Sequence, residues 1–116
     1  MFERAALVAW WLMQGESLTP HMLAAVHGMP VGVAGHLLER VERALWERAP
    51  VVDGFDRTVY VVGRLAAGEA LTTMDVAQAC QTSRQTAYNT LVRICRVVPV
   101  YQAGRRWQVC AMGELT

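Results

Sequence analysis

Two stretches of this chain run in parallel 53 positions apart. The first, LMQGESLTPHMLAAV, begins at Leu12, and the second, LAAGEALTTMDVAQA, begins at Leu65. Leu12, Gly15, Glu16, Leu18, Thr19, Ala24, Ala34 and Leu38 recur as Leu65, Gly68, Glu69, Leu71, Thr72, Ala77, Ala87 and Leu91, and Val41 is matched by Ile94. The spacing then slips by four, so that Pro50-Val51 aligns with Pro99-Val100. Shared punctuation of this kind implies the same local structure twice, and a chain of 116 residues leaves room for little else.

Each copy reads as three helices. In copy one a helix runs from Phe2 to Gln14, and Gly15 ends it. Thr19 caps a second helix with Pro20 at its first position, where the missing N–H costs nothing. Gly28 breaks that helix. A third runs from Val31 to Arg48, its apolar Leu37, Leu38, Val41 and Leu45 at helical spacing, and Pro50 stops it.

In copy two a first helix ends at Gly68, Thr72 or Thr73 caps the next, and Gln81-Thr82 makes a turn. The third helix spans Ser83 to Arg96, and VYQAGRRWQVC then alternates around Ala103-Gly104 as a small hairpin. Residues 57–67 carry a β-branched run that would suit a strand. The repeat places a helix there, capped by Asp56, and leaves copy one only a stub of hairpin around Asp53-Gly54.

The net charge of +1 hides an asymmetry. Residues 1–61 hold five arginines against seven acids, and residues 62–116 hold six against three. Lysine is absent, so every fixed positive charge is a planar guanidinium suited to phosphate and guanine. Apolar residues reach 53%, a high share for a small domain, and spare apolar surface leads to the expectation of a homodimer. The apolar run from Ala5 to Met13 is too short to span a bilayer, and it lacks the flanks of a secretory signal. Three cysteines without CxxC spacing fit a reducing cytoplasm.

DVAQACQTSRQTAYNTLVRI, from Asp75 to Ile94, resembles the helix-turn-helix of bacterial winged-helix regulators. The match lies in a small Ala77 where two helices cross, Ser83 opening the recognition helix, Thr86-Ala87 on its inner face, and Leu91. It departs at Gln81, where the family has glycine, whereas copy one keeps that residue as Gly28. The resemblance covers residues 57–110 well and residues 2–55 more loosely. It implies a mainly α fold with small β-hairpin wings: a tandem winged helix-turn-helix, with a degenerate half over 1–55 and a DNA-reading half over 56–116.

Chemistry supports the same reading. A helix entering the major groove presents the N-terminal residues of its outer face to base edges. Arg84 suits guanine, Gln85 or Asn89 suits adenine, and the methyls of Thr82 and Thr86 suit thymine. Ser83, Tyr88 and Arg93 suit phosphate, and Arg105 and Arg106, just past the hairpin turn, would form the wing contact. The expected partner is double-stranded DNA and the expected role that of a small cytoplasmic regulator, with a protein-binding adaptor as the alternative.

Copy one has Pro30, Val31, Gly32, Val33, Gly35 and His36 at the positions of the reading residues, and so carries no base-edge code. Glycine inside a helix costs about 1 kcal/mol relative to alanine, and close packing against Gly32 and Gly35 would offset it. Leu7, Trp10 and Trp11, on a helix apolar all round, would serve dimerisation or lie wedged between the two copies. His21, His27 and His36 lack metal-ligand spacing, and no nucleophile elbow or phosphate-binding glycine loop is present, so neither an enzyme nor a cofactor or metal is expected.

Overall fold

Residues 2–46 and 53–110 are described by a computed structural model. The chain is mainly helical with a small antiparallel sheet. Three helices come first: α1 (Phe2–Met13), α2 (Pro20–His27) and α3 (Val31–Trp46). They are followed by α4 (Gly54–Ala66), β1 (Leu71–Thr72), α5 (Thr73–Ala79), α6 (Arg84–Cys95), β2 (Val100–Ala103) and β3 (Arg106–Val109).

The repeat punctuation performs the same local work in both copies. Gly15 and Gly68 both hold positive φ, 83° and 98°. Behind them Glu16 N–H bonds to Trp11 C=O and Glu69 N–H to Arg64 C=O, closing each helix in the same way. Thr19 caps α2, its hydroxyl accepting from Met22 N–H at 3.2 Å, with Pro20 in the first turn. Thr72 caps α5 more completely, because Asp75 N–H donates to its hydroxyl while the Asp75 carboxylate accepts from Thr72 N–H. Gly28, at φ 63°, ends α2, and Gln81 holds φ 51° at the matching position.

Residues 54–66 are helical despite their β-branched content. Thr58, Val59, Val61 and Val62 are all buried, on more than one side of α4, because α1, α3 and α6 all pack against it. Burying each valine is worth roughly 1.5–3 kcal/mol, whereas the full range of strand propensity is only about 1 kcal/mol. Position in the core therefore outweighs residue preference. Small residues of α1 (Ala5, Ala6 and Ala9) face this core and let the helix lie close. Gly63 serves the same purpose against α3, since a Cβ there would lie 2.8 Å from a Leu45 methyl.

Four details differ from the sequence reading. Asp53, not Asp56, caps α4: its carboxylate accepts from Asp56 N–H at 2.9 Å, and Gly54 is already helical, so no hairpin stub occupies Asp53-Gly54. Arg40 of α3 donates to the same Asp53 carboxylate and stacks on Phe55, pinning the helix start to copy one. The hairpin turn falls at Gly104-Arg105, one residue later than expected, with positive φ at Gly104 alone. The hairpin is also part of a three-stranded sheet in the order β1-β3-β2, because Leu71 and Thr72 pair with Trp107 and Arg106.

The fourth concerns Gly32 and Gly35. A Cβ on Gly32 would meet nothing within 4 Å, and one on Gly35 would make only ordinary contact with Pro20 at 3.8 Å. Close packing within the chain does not explain either glycine. The ends expected at Arg48 and Pro50 lie outside the described residues.

Candidate nucleic-acid interface

α6 starts where Ser83 caps it, its hydroxyl accepting from Thr86 N–H at 3.1 Å and contacting the Thr86 hydroxyl at 3.0 Å. Ala87, Thr90, Leu91 and Ile94 form its buried side, and Thr90 further spends its hydroxyl on Thr86 C=O. Helical spacing then puts the exposed Gln85, Asn89 and Arg96 on the opposite, outward line. Arg84 and Tyr88 flank that line on the side of the hairpin, and Thr86 and Arg93 flank it on the side of α1 and α4.

On the outward line the Gln85 amide donates to Asn89 Oδ1 at 3.0 Å. One face of each amide is thereby satisfied, and Gln85 Oε1 and the Asn89 NH₂ group remain to meet an outside partner. Arg84, exposed at the first helical position, makes no ion pair among the described residues. A flexible cation without an internal partner is available for recognition at little cost.

A cleft opens between α6, the start of α5 and the hairpin. Thr73, Met74, Arg84, Tyr88, Gln102 and Arg105 surround it. Trp107 packs against the cleft residue Tyr88: its ring is buried and meets Tyr88 edge-on, with centroids 6.1 Å apart, which fixes the hairpin against α6. Trp107 is thus a core anchor.

Not all the predicted residues gather here. Arg105 lies within the hairpin turn and joins the cleft, but Arg106 opens β3, opposite Ala103 and Thr72. Alternation along the strand turns it to the face away from Trp107. Asp75 lies within its field there. That carboxyl is held below its ordinary value by Thr72 N–H first and the Thr72 hydroxyl next, with smaller contributions from Arg64 and Arg106. Thr82 and Thr86 are only half-exposed, and Thr82 N–H bonds back to Ala77 C=O across the turn. Arg93 leans over the Phe2 ring at 5.2 Å, away from the cleft.

Several contributors escaped the sequence reading. Gln102 and Thr73 line the cleft, brought there by strand pairing that the sequence does not spell out. Arg57, on α4, borders the other flank of α6, and only helix packing brings it near. Arg96 could have been found, since it continues the spacing of Gln85 and Asn89.

Comparison with protein-family models, curated proteins and solved structures returned no match.

Copy one presents a different surface at the equivalent place. Val31 and Val33 are 43% and 44% exposed, and Met22 and Val26 on α2 are 49% and 67% exposed. Trp10 and Trp11, together with Leu7, pack against the chain's own core instead, and Trp11 also meets His27 with ring centroids 5.8 Å apart. The spare apolar area therefore lies on α2 and α3, with α1 placed against α4. Burial pushes the Cys80 thiol up, which keeps it protonated and poorly nucleophilic. Among the described residues no group of three or more His, Cys, Asp or Glu could hold a metal ion, and no helix is long and apolar enough to cross a membrane.

Proposed function

We propose that this chain is a sequence-specific double-stranded DNA-binding protein of the winged helix-turn-helix type, acting as a small cytoplasmic transcriptional regulator. The observation that carries the reading is the outer face of α6, where Arg84, Gln85 and Asn89 stand exposed beside a cleft completed by Arg105. The element order from α4 to β3, with sheet order β1-β3-β2, supports the winged-helix assignment. α6 enters the major groove, Arg84 reads guanine, Gln85 and Asn89 read adenine, and Arg105 meets a neighbouring phosphate.

Copy one serves assembly. Its counterpart of the reading face is apolar where copy two is polar, so the face suits a second copy of the chain, and two copies would occupy a pseudo-palindromic site. Sedimentation should then give twice the chain mass, falling to the monomer for Val26→Glu. A strict monomer at binding concentrations would remove this part of the proposal.

The direct test is a gel shift with the DNA upstream of the protein's own coding sequence. Arg84→Ala should relax discrimination at one base pair by about 1–3 kcal/mol. Arg105→Ala should weaken binding to all sequences alike and lower the salt slope. Wild-type protein with no salt-dependent affinity for any duplex would sink the DNA reading and favour a protein-binding adaptor, for which the exposed Val26 face is the natural surface.

A further inference from the structure

The flank of α6 turned away from the hairpin borders a second cavity, of about 180 Å³, between α6, α4 and the start of α1. At about 30 Å³ per water it has room for a hydrated tetrahedral ion. Arg57 reaches it from α4, and Arg93 from α6, with Thr86, Asn89 and Thr58 around them. Among the described residues neither guanidinium makes an ion pair. The acids of the first turn of α4, Asp53 and Asp56, are both taken by Arg40. Glu3 on α1 lies within electrostatic reach of Arg93.

Two like charges from separate helices thus share one small space. Arg57 Nε is moreover buried without a hydrogen-bond partner, and a buried cationic donor with no acceptor is costly. An oxyanion in the cavity would give the Arg57 guanidinium an acceptor and offset the repulsion. The remaining groups suit it. Arg93 is oriented by stacking over Phe2, and a planar guanidinium binds phosphate oxygens in pairs.

We propose that this cavity is an oxyanion site that takes one phosphate group between Arg57 and Arg93. The phosphate belongs either to a nucleic-acid backbone or to a free phosphorylated small molecule. The first source rests on the DNA reading above, since a strand flanking α6 in the major groove would run past this side. The second source does not.

The test is a titration of the full chain, labelled with ¹⁵N, with inorganic phosphate at constant ionic strength. The Nε–H signals of Arg57 and Arg93 should follow one saturating curve, while those of Arg84 and Arg105 should not move. Arg57→Gln should weaken the response at least tenfold. Arg93→Gln, at an exposed position that leaves the fold intact by circular dichroism, should do the same. Shifts that are equal at all arginines and never saturate would overturn the proposal.

A duplex titration separates the two sources. If Arg57→Gln lowers the slope of log affinity against log salt by about 0.9, the phosphate is one of the DNA backbone. An unchanged slope beside a lost phosphate response assigns the site to a small phosphorylated ligand. Wild-type protein that binds no duplex ends the DNA reading and leaves the phosphate titration to decide the cavity.

Discussion

Gln81 sits in a left-handed conformation, φ 51°, that its counterpart Gly28 adopts without steric cost. For an L-residue that conformation costs roughly 1–2 kcal/mol, and a glycine replacement returns part of the gain through the entropy of the unfolded chain. Gln81→Gly should therefore raise stability, by no more than about 1 kcal/mol, in urea denaturation. A loss of stability would mean that the glutamine side chain does something the turn geometry does not require. Gly32 gives the opposite case. Open space surrounds it, so Gly32→Ala should stabilise the monomer by about 1 kcal/mol through helix propensity alone. If the chain sediments at twice its own mass and the same substitution lowers that mass, the glycine is kept for a partner and not for the fold.

The two caps on copy two tie helix stability to acid conditions. Asp75 closes a capping box with Thr72 at the start of α5, and Asp53 caps α4 while holding Arg40. Both carboxyls are held below their ordinary value, Asp75 chiefly by Thr72 N–H and Asp53 chiefly by Asp56 N–H and then by Arg40. A depressed folded-state pKa gives stability that is present above the unfolded value, about 3.9, and is lost as pH falls through the lower folded value. The melting temperature should hold between pH 7 and about 5 and decline below about 4, with a shallower decline for Asp75→Asn. Thr72→Ala should cost about 1 kcal/mol at neutral pH, read as a lower urea midpoint.

Both copies contribute to one core. α4 packs against α1 and α3 as well as α6, and the buried cluster runs without a break from Ala5 to Trp107. The boundary read at residues 55–56 falls inside the first turn of α4, whose cap is Asp53. Unfolding should therefore be a single transition. Ala9→Asp, a buried charge in α1, should strip amide protection from α6 as well as from α1, and α6 protection that survives would show the second half to be autonomous.

Local chemistry makes much of this fold legible in the sequence. Caps at Thr19, Thr72 and Ser83, left-handed ends at Gly15, Gly28 and Gly68, and the polar outer face of α6 depend on neighbours within a few positions, and the repeat states the Thr19/Thr72 caps and the Gly15/Gly68 ends twice. What local sequence could not carry is pairing between distant segments. Leu18-Thr19 and Leu71-Thr72 are the same dipeptide, yet only the second is a strand, because β3 lies beside it. Arg105 and Arg106 are neighbours in sequence, but the turn gives one to the cleft and strand alternation turns the other away. Arg57 reaches the flank of α6 only because α4 is packed there. A strand needs a partner and a cavity needs several walls, and both are properties of the assembled core.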